Sequence, residues 1–192
     1  MTVGRQQTAD GREGVLLLRE ERGSELFEFA ALLPILLVLM VGLLDFAMAY
    51  NFRQKLANSA REGARLAVSQ SMLDLTQTGP LSVQDLHDSV VTYLQGANVD
   101  TSFIGPTMTA EGNFAWTYYS TGTHGLKIER VVQFPPGCGS SSSNPCSAGT
   151  RVTLTYPYNW TFGFNRVVNL LGASGFNGTI TILTSALMEN LP

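Results

Sequence analysis

From Phe29 to Leu44 the chain runs for sixteen residues without a charge, and a carboxylate, Glu28, stands at the mouth of that run. No other feature restricts the fold as much. At a helical rise of about 1.5 Å per residue the run makes a rod of roughly 24 Å, against a bilayer hydrocarbon core of about 30 Å. Continuation through Asp45 to Tyr50 supplies the remaining length, with Tyr50 and Phe52 expected at the interface as an aromatic belt. The expected span therefore includes Phe29, Pro34, Leu44 and Tyr50. Pro34 removes one backbone hydrogen bond early in the helix, a loss that neighbours repair in a membrane and that marks a place for a kink. An acid beside such a helix stays near the headgroups or finds a cationic partner, because burying it alone is costly.

Only 14 % of the chain is charged, well below the usual share, and the part beyond the apolar run is rich in Gly, Ser, Thr and Asn. The net charge is −3, and the arginines and acids of residues 1–23 cancel. Basic residues do not cluster with aromatics and the balance is slightly acidic, so no nucleic-acid partner is expected. Two cysteines, Cys138 and Cys146, flank a serine-rich, proline-containing stretch and look like the ends of a small disulfide-closed loop, which requires an oxidising compartment. The alternatives are two free thiols or a metal pair. No third cysteine exists and the two histidines, His87 and His124, lie apart, so no metal site is expected.

Charge does not fix the orientation of the span. Arg5, Arg12, Arg19 and Arg22 precede it, and Arg53, Lys55, Arg61 and Arg65 follow it. The cysteine loop and the size of the C-terminal part favour an N-terminus inside and a domain outside. Ala47-Met48-Ala49 has the form of a signal-peptidase site, whose use would release a soluble protein from Tyr50. The long leading region, Glu28 and Asp45 speak against it.

Past the apolar run, Phe52, Leu56, Ala60, Ala64 and Ala67 recur at helical spacing, so one helix is expected from about Glu25 to Val68, half in the bilayer and half on the domain. A second helix is expected where Val83, Leu86, Val90 and Leu94 follow a capping-box-like Ser82 and Asp85 and end at Gly96. His87 is expected at its surface. Four strands are expected, over residues 114–119, 126–132, 151–156 and 179–186, with a hairpin at residues 122–125 and a short helix within 162–171. The fold class is thus α+β: a long N-terminal helix, membrane half plus amphipathic half, packed on a small antiparallel sheet.

The string from Arg22-Gly23-Ser24-Glu25-Leu26-Phe27-Glu28-Phe29-Ala30 through Leu33-Pro34 and Asp45-Phe46 to Arg61-Glu62-Gly63-Ala64-Arg65 resembles the TadE-like proteins, minor pseudopilins of the tight-adherence (Flp-type) pilus assembly system. The likeness is dense over residues 22–68 and returns faintly at Ala186-Leu187-Met188-Glu189, where the family's arginine between Met and Glu is missing. The resemblance implies a pilin-like arrangement in three parts: a cytoplasmic leader (1–23), a transmembrane and amphipathic helix (24–68), and an extracytoplasmic domain (69–192). It implies removal of the leader between Gly23 and Ser24 by a prepilin peptidase, with Glu28 and Phe29 completing the processing and subunit-pairing motif. Flp-type pilins more often carry Tyr where this chain has Phe29. The chemistry is coherent. Gly23 lets a peptidase approach the backbone closely, and the amine exposed at Ser24 can meet the Glu28 carboxylate of a neighbouring subunit. The plainer role for Glu28 is to sit favourably at the N-terminal end of an anchor helix.

The implied partners are membrane lipid, the prepilin peptidase, other pilin or pseudopilin subunits and the pilus machinery. No nucleophile elbow, phosphate loop, dinucleotide fingerprint or metal cluster appears, so no enzyme, catalytic residue or cofactor is expected. The other functional class is an unprocessed single-pass protein whose outer domain binds a ligand or partner.

Overall fold

The computed structural model describes residues 13–138, 146–170, 172 and 178–190, with side chains from residue 23 onward apart from that of residue 170. The first part of the expected leader, the interior of the cysteine loop and the glycine-rich stretch 173–177 lie outside the described residues.

One helix, α1 (Glu13–Ser69), organises the molecule. Its start differs from the expected Glu25. Residues 13–22 are mostly Glu, Arg and Leu, all good helix formers. A single interior glycine, Gly23, costs only about 1 kcal/mol, too little to end the helix there. α1 also continues through Pro34 as one element.

The helix α2 (Leu81–Gly96) buries the anticipated stripe of Val83, Leu86, Val90 and Leu94, each at 1 % exposure or less. Each such burial stabilises by about 1.5–3 kcal/mol. The expected capping box is not formed. Pro80 occupies the N-cap, without a side-chain cap. Ser82 instead donates its N–H and its hydroxyl to the Asp74 carboxylate, both at 2.8 Å. Burial works to raise the Asp74 carboxyl, but the Ser82 hydrogen bonds outweigh it and hold the group below the usual carboxylate range.

Five strands, not four, form one antiparallel meander in sequence order: β1 (Ile104–Gly112), β2 (Ala115–Thr121), β3 (His124–Phe134), β4 (Ser147–Tyr158) and β5 (Ile180–Glu189). β1 is the addition. It carries Gly105 and Pro106 and buries only its first two residues, so it lacks alternation and belongs at an edge, where a missing N–H is tolerated. The hairpin between β2 and β3 has the two-residue loop Gly122–Thr123, with Thr121 opposite His124 and Gly122 at φ +62°. A disulfide between Cys138 and Cys146 closes the loop from β3 to β4. The expected short helix is α3 (Phe164–Leu170).

The core lies between the two long helices and one sheet face. Leu56, Ala60, Ala64 and Ala67 of α1 are fully buried against Trp116, Leu126, Ile128, Val152 and Leu154. Close approach of α1 to α2 depends on Gly63, where a Cβ would stand 2.6 Å from Val90 Cγ2. Ser59 donates its hydroxyl across the same contact to the Val90 carbonyl at 3.3 Å. His87, expected at the surface, is half-buried. Its ring stacks on Tyr118 with centroids 4.1 Å apart, and its Nδ1 lies 2.9 Å from the Asp88 carboxylate. A bulge between Glu129 and Val132 holds Val131 at φ +58° beside the buried Arg130, whose Nη2 donates to the Gln70 carbonyl at 3.2 Å.

Candidate functional site: the stem and its junction with the domain

Residues 23–40 of α1 are exposed on every side apart from a half-buried Val38. Leu26, Phe27, Phe29, Ile35 and Leu39 each leave 60 % or more of their surface open. A soluble protein does not maintain such a patch; the stem is apolar all round, as a lipid-facing helix must be. By length and composition it is the one helix among the described residues able to cross a membrane. Gly23 has no heavy atom within 4 Å of where a Cβ would stand. Ser24, Glu28 and Phe29 are all exposed on the helix, and no ion pair to Glu28 exists among the described residues.

Contact with the domain begins at Gly42, where a Cβ would lie 3.0 Å from the Phe164 ring. Leu44, the last residue of the uncharged run, remains 42 % exposed. Asp45 beside it is fully buried. Its Oδ1 accepts the N–H groups of Thr161 at 2.9 Å and Phe162 at 2.7 Å, and its Oδ2 accepts that of Phe164 at 2.9 Å. Gly163, at φ +78°, makes the turn that aims these donors at one point. A charge at this level of the helix is tolerated because it is enclosed and multiply hydrogen-bonded.

Aromatic rings surround this joint. Phe46 meets Trp160 edge-on at 5.5 Å and Phe164 at 5.6 Å, and Trp160 meets Phe164 at 5.5 Å. Further along α1, Ala49 is buried in the core, and Phe52 packs between Tyr156 at 5.6 Å and Tyr158 at 5.4 Å. Phe52 therefore belongs to the domain interior and not to an interfacial belt, because β4 presents two tyrosines to that face of α1. Tyr50 points away from the domain and is 61 % exposed. Cleavage after Ala49 would cut through this packing and remove Asp45 from the domain it braces.

Sequence reasoning placed Asp45 in the string shared with the TadE-like proteins and against a signal-peptidase site, but missed its partners, which lie more than a hundred residues away. The available signal was a lone acid in a greasy helix, which demands donors, and a Thr-Phe-Gly-Phe turn able to supply them. One cleft of about 480 Å³ opens on the outer side of this turn, beside Asn159, Thr161 and Asn165, and another of about 450 Å³ lies along Tyr50, Arg53 and Arg61. Neither brings a nucleophile to a base among the described residues.

The architecture defines a class: a single apolar helix that serves both as a membrane-length stem and as the spine of a small α+β domain. A family model described as TadE-like protein matches residues 23–65, so over that stretch the chain is similar to the TadE-like proteins. The matched segment is α1 from the exposed Gly23 to a point just short of its end; the sheet lies outside it. No curated protein and no solved structure matches the chain.

Proposed function

We propose that this protein is a minor pseudopilin-like component of Flp-type pilus assembly, held in the cytoplasmic membrane with its leader inside and its α+β domain outside. A prepilin peptidase removes the leader between Gly23 and Ser24. The new ammonium group at Ser24 then pairs with Glu28 of a neighbouring pilin or pseudopilin subunit, setting the axial register while the stems pack in lipid. The protein is not an enzyme, and the disulfide loop suits an oxidising exterior. The observation that carries this reading is the TadE-like match laid on a bare apolar stem whose acid near the start, Glu28, has no ion pair among the described residues.

One observation favours the alternative of an unprocessed anchor: α1 is continuous through the Gly23–Ser24 bond, and a peptidase needs that bond unwound. The N-terminal residue of protein isolated from the host membrane separates the two. Processing gives Ser24 and an intact mass lacking residues 1–23; an anchor retains them. Glu28→Gln, which removes the charge at nearly constant shape, is expected to leave the protein in the membrane and abolish assembly. Normal pili with that variant would refute the pairing role.

A further inference from the structure

The helix α1 is long enough to cross a membrane, but the part of it clear of the domain is shorter than the hydrocarbon core. Between Glu28, which belongs at the headgroups, and Gly42, which is buried against Phe164, lie residues 29–41, and of these Val38 and Val41 are already half-buried. At about 1.5 Å per residue they span roughly 20 Å, against a hydrocarbon core of about 30 Å. The difference has to be made up by the base of the domain itself. That base is built for it. Leu43 is 72 % exposed, Phe46 54 % and Phe162 51 %, and all three lie where α1 meets the turn before α3. The one acid at this level, Asp45, is enclosed by three backbone donors and presents no charge outward.

We propose that Phe46, Trp160, Phe162 and Phe164 form a collar seated in the lipid interface, so that the β4–α3 turn is a second membrane contact besides the helix. The occupant of this surface is the headgroup and upper acyl layer of the bilayer that α1 spans. Aromatic side chains favour that layer, and an apolar face inserted beside an anchor settles about 5–10 Å into the headgroup–acyl boundary. Asp45 holds the turn against α1 and thereby fixes the depth at which the rings sit. The inference rests on the reading of α1 as a membrane span.

The test uses the full chain in phosphatidylcholine vesicles. Trp116→Phe leaves Trp160 as the only indole, since the chain has two tryptophans. A second variant, Phe162→Trp with Trp116→Phe and Trp160→Phe, moves the probe to the exposed ring. Lipids carrying a nitroxide near the carbonyl end of the acyl chain are compared with lipids labelled near its methyl end, and flotation records membrane association separately. Both probes are expected to be quenched at least about twofold more by the shallow label, as an interfacial position requires. Protein that floats with the vesicles but is unquenched by either label, or quenched most by the deep one, overturns the collar. Failure to float overturns the membrane span and the collar with it.

Discussion

Removal of the Asp45 carboxylate tests the joint directly. The group is fully buried and accepts three N–H groups. Hydrogen bonds to a charged acceptor are worth about 1.5–3 kcal/mol each when fully buried. Thr161 and Phe162 are themselves exposed residues, so their freed N–H groups regain solvent and count for less, at about 0.5–1 kcal/mol each. The N–H of the half-buried Phe164 does not, and counts for about 1–2 kcal/mol. Asp45→Ala is thus expected to cost about 3 kcal/mol, lowering the melting temperature by about 6–12 °C for a chain of this size. Asp45→Asn keeps the volume and one carbonyl oxygen for Thr161 and Phe162 but turns an NH₂ towards the Phe164 donor, so about half that cost is expected. The assay is thermal unfolding in detergent micelles in the Trp116→Phe background, followed by the fluorescence of Trp160, which lies against Phe46 and Phe164. An Asp45→Ala variant melting within about 1 °C of the parent would refute the reasoning, because surface changes alone stay within that range.

Gly63→Val is expected to destabilise by about 1–3 kcal/mol in denaturant titration, since its Cβ alone would stand 2.6 Å from Val90 Cγ2 and α1 must retreat from α2. Gly23→Ala, in open surroundings, is the control: it should leave stability within about 1 kcal/mol of the parent while impairing leader removal. Asp74 supplies a pH signature. Its folded carboxyl lies below the ordinary value, so its contribution is complete above about pH 4, the unfolded carboxylate pKa, and fades as pH falls through the lower folded value. The stability gap between the parent and Asp74→Asn should therefore be full at neutral pH and shrink in acid unfolding; a gap that widens on acidification would contradict the Ser82 contacts.

What was legible in the sequence was periodic. The stripe Leu56, Ala60, Ala64, Ala67 and the stripe Val83, Leu86, Val90, Leu94 both emerged buried because a helix repeats its inward face and apolar residues mark it. Four strands, β2 to β5, were legible from β-branched and aromatic runs. β1 was not, because an edge strand with Pro106 and mostly exposed side chains carries no such signal. Ser82 was misread because its partner, Asp74, lies upstream of the helix and not within it. The stretch Gly23–Phe29 was read as pattern alone, and its residues are all exposed on the helix. The joint at Asp45 was hidden for the opposite reason: its meaning resides in donors brought together only by the completed sheet.

α1 passes from stem to domain without a break, and Asp45 locks the domain's base to it. The molecule therefore has no swivel at the bilayer surface, and the sheet rides on the stem as a flag on its pole. From Gly42 to Ser69 the pole extends about 40 Å, so a lean of about 20°, ordinary for a spanning helix, sweeps its outer tip through roughly 14 Å. A neighbour that pulls on the buried shaft would steer the exposed face directly, with no intermediate joint to absorb the torque.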